Sequence, residues 1–123
     1  MARTELTPGP DHPITVTPTG HRVTVSVDGV TVAETDAALT LQESSYPAVQ
    51  YIPIGDVDPA SLQSSDTTTH CPYKGDASYY DLSVLGTTQS DTVWVYTEPY
   101  GAVADIKDHV AFYPDRVEIT VAD

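Results

Sequence analysis

The sequence predicts a mainly β domain, a compact barrel or two-sheet sandwich with one short helix, and three observations carry that reading. Val23, Val25 and Val27 alternate with Thr24 and Ser26 up to Asp28-Gly29, after which Val30 and Val32 resume the alternation. Val93-Trp94-Val95-Tyr96 and Val110-Ala111-Phe112-Tyr113 are short runs of the β-branched and aromatic residues that suit a pleated surface. Ten prolines in 123 residues leave little room for a long helix.

Residues 1 to 13, punctuated by Pro8, Pro10 and Pro13, read as a flexible tail, and 14 to 123 as a single β-rich domain. The pattern becomes extended from Ile14. Asp28-Gly29 between alternating runs signals a hairpin, because that pair tolerates the positive φ of a type I′ turn. Ala38 to Gln42 gives another strand, with Leu39 and Leu41 on one face. Glu43 to Gly75 is the least regular part. Tyr46-Pro47 and Ile52-Pro53 hold their leading residues extended, residues 49 to 52 offer a short strand, and Pro59 to Gln63 one helical turn. An irregular stretch of this length inside a compact domain points to function. Strand patterns return at Ala77 to Leu85 and Thr92 to Thr97. Gly101 to His109 has helical spacing, with Val103, Ile106 and Val110 on one face. Val110 to Tyr113 and Val117 to Val121 complete a set of about eight short strands, whose edges a closed or stacked arrangement would protect.

With one phenylalanine and one methionine, the core must draw on valine, Trp94 and eight tyrosines. Buried tyrosine brings a hydroxyl that needs a partner, so such an interior suits a polar pocket. Eighteen acidic residues against five basic give a net charge of -13. That field repels phosphate backbones and anionic bilayers, so neither nucleic acid nor membrane is expected as a partner. A lone cysteine cannot form an intramolecular disulfide, and neither a leader peptide nor a spanning segment of ~20 apolar residues is visible. The expectation is a cytoplasmic monomer or homodimer, and the Asp-rich, Lys-poor composition suggests a bacterial source.

The stretch Asp66 to Asp76 gathers the only cysteine, one of two lysines and one of four histidines around a proline and a glycine. Pro72 at a second turn position and Gly75 just beyond predict a β-turn over 71 to 74. The turn brings the Lys74 ammonium toward Cys71, which favours the thiolate, and His70 offers a neighbouring base. Cys71, His70 and Glu43, a carboxylate at the end of an apolar strand, are therefore the catalytic candidates. The plainer reading makes Cys71 a small buried hydrophobe and sends His70 to the opposite face of a strand.

Lys74 is the stronger candidate, as a point charge for a phosphate or carboxylate; otherwise it is a solvated lysine paired with Asp76. Tyr51, Tyr73, Tyr79 and Tyr96 are candidate ligand contacts, and Trp94 and Tyr113 occupy strand positions that can share their cavity. Arg116 joins them as a further cation, although pairing with a carboxylate is its ordinary fate. No metal and no cofactor is expected. Structural zinc takes four ligands, and His70-Cys71 is a single adjacent pair.

Thr67-Thr68-Thr69-His70-Cys71-Pro72-Tyr73-Lys74-Gly75 resembles the signature of a small bacterial and fungal family of uncharacterised domains, sometimes labelled nucleotidyltransferase-like. Glu43, Tyr46-Pro47, Tyr51-Ile52-Pro53, Ala77-Ser78-Tyr79-Tyr80, Val93-Trp94-Val95-Tyr96 with Pro99, and the run from Val110 to Val117 extend the resemblance over roughly residues 20 to 120. It implies a compact β-rich domain and supplies no activity. Metal-dependent nucleotidyl transfer wants paired carboxylates and a glycine-rich phosphate turn. Asp56-Val57-Asp58 is the single Asp-x-Asp, and no such turn precedes it.

Two function classes follow. In one, the chain binds a small anionic or nucleotide-like ligand in a tyrosine-lined pocket beside the 70–75 turn, with or without catalysis. In the other, that turn is architectural and the domain is a structural or protein-interaction module.

Overall fold

The computed structural model describes residues 6–122. The strands are β1 (Ile14–Pro18), β2 (Val23–Val27), β3 (Val30–Thr35), β4 (Leu39–Glu43), β5 (Val49–Pro53), β6 (Leu62–Cys71), β7 (Gly75–Val84), β8 (Thr87–Tyr96), β9 (His109–Phe112) and β10 (Glu118–Val121). Seven form an antiparallel sheet in the order β1-β4-β5-β9-β8-β7-β6, and β10-β2-β3 form a smaller one. The larger sheet ends in two free edges, β1 and β6, so it does not close into a barrel. Of the two architectures expected, the sandwich is the one observed.

Alternation along each strand assigns the two faces of the large sheet. Ile52, Leu82, Val93, Val95, Val110 and Phe112 meet Val23, Val25, Val27, Val32 and Ala33 of the small sheet in one buried cluster. Their neighbours Tyr51, Ala77, Tyr96 and Ala111 point the other way, into a second cluster with Leu41, Val103 and Ile106. The β2–β3 hairpin turns at Asp28 and Gly29, both at positive φ (50° and 82°), as a type I′ turn needs.

Two local expectations change. The helix expected near 101–109 is a 3-10 segment, Gly101–Ile106, interrupted at Val103 (φ -127°, ψ 28°). Its apolar face does what the spacing predicts, because Val103 and Ile106 are both buried. The stretch 43–75 holds the expected short strand, as β5, and the expected turn, as the 3-10 segment Pro59–Ser61, and beyond them a 3-10 turn at Ile54–Asp56 and the ten-residue strand β6. Gln63-Ser64-Ser65-Asp66-Thr67 shows no apolar alternation because β6 is an edge strand with much of both faces in solvent. Its register shifts between Ser64 and Thr68. There Asp91 accepts hydrogen bonds from the Ser65 and Thr67 hydroxyls at 2.5 and 2.7 Å, which hold its carboxyl below its ordinary pKa. Such a bulge spoils an edge for pairing with another chain. No helix of the described residues is long and apolar enough to cross a membrane.

Candidate functional site

The tyrosine face of the large sheet carries the candidate site, and strand alternation explains how its carboxylate arrives there. Leu39 and Leu41 of β4 pack on that face. Two residues on, Glu43 follows them onto it. Lys74 comes from the opposite end of the sheet through the β6–β7 connection. Lys74 N–H donates to Cys71 C=O at 3.2 Å, closing the expected turn. Gly75 then takes φ +113°, where a Cβ would stand 3.3 Å from Glu98 O, so the position needs glycine twice over. Tyr100 N–H donates to Lys74 C=O at 3.0 Å and ties the turn to the 3-10 segment.

Residues 6–13, expected as a tail, include further contacts with this region. Leu6 N–H donates to Pro72 C=O at 2.7 Å, Gly9 and His12 exchange backbone hydrogen bonds, and Ser44 N–H donates to Pro13 C=O at 2.8 Å. The His12 ring stacks on Tyr73, with centroids 4.0 Å apart and planes 11° apart. Its Nε2 lies 2.7 Å from Glu43 Oε2, while Lys74 Nζ lies 2.5 Å from Glu43 Oε1. Each carboxylate oxygen thus has its own donor. Burial alone would raise the Glu43 pKa, but hydrogen bonds from Lys74 and His12 outweigh it and hold the carboxyl below its ordinary value.

Glu43 and Lys74 form one wall of a cavity of about 180 Å³. The rest is aromatic and apolar, chiefly Tyr46, Tyr51, Tyr79, Trp94, Tyr96 and Tyr113. Trp94 Nε1–H donates to Tyr51 Oη at 3.1 Å, and the two rings meet edge to face. Burial raises the pKa of both Tyr51 and Tyr96, so both phenols stay protonated through any ordinary pH. Tyr113 is raised as well, by burial and by its contact with Tyr79.

The structure brings Glu43, Lys74, Tyr51, Tyr79 and Tyr96 around one space. It disperses the other candidates. Tyr73 lies against His12 instead of lining the cavity. Cys71 is half-buried and packs against the second apolar cluster. His70 Nδ1 sits 2.7 Å from Asp76 Oδ1, and its ring meets Tyr100 edge on. Asp76, the partner of Lys74 in the plainer reading, pairs instead with His70, because β6–β7 register sets His70 opposite Asp76 while the turn swings Lys74 toward β4. Arg116 lines a separate depression with Asp28, Asp115 and Glu118. Asp56 accepts from the Thr35 hydroxyl and Asp58 caps the Pro59–Ser61 turn, so each has a structural partner. Among the described residues no group of three or more His, Cys, Asp or Glu side chains could hold a metal ion.

Sequence reasoning passed over His12 and gave Tyr46 no role at the site. His12 lies 31 positions from Glu43 in a proline-rich stretch, and no spacing rule links them. Tyr46 is exposed beside Pro47, where only the closed geometry of the β4–β5 connection places it over the cavity.

A family model described as a domain of unknown function (DUF427) matches residues 15–123, and the chain belongs to that family. No curated protein matches it.

Proposed function

We propose that this domain binds a small anionic molecule in the aromatic cavity, with the acidic group of the ligand on Lys74. One observation carries the reading: the Lys74 ammonium stands in the cavity wall with N–H groups beyond the one it gives to Glu43. Both Glu43 oxygens are engaged by Lys74 and His12. The Lys74 ammonium has three N–H groups and gives one of them to Glu43. Tyr51 accepts from Trp94 and keeps its own proton to donate. A ligand head that accepts hydrogen bonds satisfies this wall, whereas a cationic head meets a second ammonium.

In this reading Glu43 is a positioning residue. It orients Lys74 and is a poor general base, because its pKa is depressed. Cys71 and His70 take no part in binding, and Arg116 belongs to another surface.

The test is a thermal-denaturation screen of small acids against the parent and Lys74→Met. A ligand at 100 times its Kd adds about 2.7 kcal/mol, a rise of roughly 10 °C for a domain of this size. The expected result is a stabilised parent and an unresponsive variant that still melts cooperatively. If no acid moves the parent, or both proteins respond alike, the reading fails.

A second reading rests on the same trio, which ties three distant segments together: residues 6–13, the end of β4 and the 71–74 turn. There the turn is architectural and the domain is an interaction module. Loss of folding in both Lys74→Met and Cys71→Ser would support it.

A further inference from the structure

We infer that the ligand is a monocarboxylate on a single flat ring, of the benzoate class. This rests on the pocket reading above and narrows it by size, wall chemistry and charge.

Size comes first. An apolar cavity of roughly 150 Å³ takes up one benzene, and drug-sized ligands need roughly 300 Å³ or more. The 180 Å³ here matches one ring with one small head group, and most of a nucleotide would lie outside it.

The walls specify a ring. Tyr51 and Trp94 stand nearly perpendicular, at 87° with centroids 6.4 Å apart. Trp94 and Tyr113 are tilted by 49° at 4.7 Å. Walls inclined in this way offer a flat guest both faces and edges, which is how aromatic rings prefer to pack. An aliphatic acid of equal volume would gain area burial alone.

Charge limits the head group. The chain carries a net charge of -13, so every additional negative charge on a ligand increases the repulsion it meets on approach. Lys74 is the lysine at the cavity, and Glu43 already balances part of its charge. A monoanion is what this site can hold; a phosphate monoester or a dicarboxylate is not. A second depression with a cation, at Arg116, is ringed by Asp28, Asp115 and Glu118 and offers an acid nothing comparable.

Trp94 is the only tryptophan and lines this cavity, but it also borders a neighbouring groove with Phe112, Ile119 and Val121, so a response counts for this cavity only where Lys74→Met weakens or abolishes it. The experiment titrates the intact chain with benzoate, cyclohexanecarboxylate, benzylamine and adenosine monophosphate, following Trp94 fluorescence and confirming each response by calorimetry. Benzoate is expected to bind at least tenfold more tightly than the other three. Lys74→Met should weaken it by tenfold or more with the circular-dichroism spectrum unchanged. If that variant misfolds, the four-ligand ranking on the parent decides the ligand class. Tighter binding of the nucleotide or the aliphatic acid overturns the ligand class and leaves the anion pocket, whereas tighter binding of benzylamine overturns the anion reading as well. Silence from all four, set beside a negative acid screen, overturns the pocket itself.

Discussion

The two faces of the seven-stranded sheet are written by alternate residues of the same strands, yet they are opposite kinds of surface. Val93 and Val95 look into a sealed cluster with the small sheet, while Trp94 and Tyr96 between and beside them look onto a cavity. The buried centre of the sealed face is aliphatic apart from Phe112, with Tyr80 packed at its margin. The other face is built from rings with polar ends, whose hydroxyls and indole N–H find one another and whose rims meet an ion pair. The small sheet packs on the first face and buries its centre. The short 3-10 segment Gly101–Ile106 covers only part of the second, and the cavity lies on the remainder. The lesson is that a period-two strand can serve stability and recognition at once, one face for each.

That contrast can be broken most severely from the sealed side. Phe112 is 2 % exposed, and Phe112→Ala should cost about 3–5 kcal/mol, the lost transfer energy plus the cavity left behind. Urea denaturation measures it, and a loss under about 1 kcal/mol would mean that this face is not the close-packed one.

A smaller effect should separate the ion pair of the aromatic face from ordinary surface charge. The Glu43 and Lys74 side chains are 14 % and 13 % exposed, so removing the carboxylate with Glu43→Gln should cost about 1.5–3 kcal/mol near neutral pH. The pH dependence carries a definite sign. A carboxyl whose folded pKa is depressed adds stability above its unfolded pKa of about 4.3, and that stability is lost as pH falls through the folded value. Parent and variant should therefore differ in urea midpoint at pH 7 and converge in acid. A difference that stays constant down to pH 3 would show that Glu43 acts by shape and not by charge.

The smallest effect lies on the outer sheet. Arg22 contacts both Glu34 and Asp36, but all three side chains are about half exposed or more. Solvent and salt screen such pairs, so Arg22→Ala should leave the urea midpoint unchanged within error. A clear loss there would erase the distinction drawn between the two ion clusters.

Strong local signals were legible in the sequence. The Asp28-Gly29 hairpin, the β8 and β9 runs and the Pro72–Gly75 turn rest on φ preferences and alternation that act over a few residues. β6 was not legible, because an edge strand with two solvated faces needs no apolar period. Nor was the length of β8, which begins at Thr87 in an exposed polar run. At the site, Glu43, Lys74, Tyr51, Tyr79 and Tyr96 could be named as candidates from residue type and position. Their common cavity, the exchange of Asp76 for Glu43 as the partner of Lys74, and the arrival of His12 could not.

The sequence by itself determined a β domain, a tyrosine-rich interior, strong acidity and a tight turn at Pro72–Gly75, since each follows from composition or from interactions between near neighbours. Tertiary structure alone decided that Glu43 holds Lys74 across 31 positions of chain and that His12 completes the group. The reason is that a hydrogen bond depends on where side chains lie in space. In a sheet ordered β1-β4-β5-β9-β8-β7-β6, that place is set by long-range strand pairing, which no local pattern records.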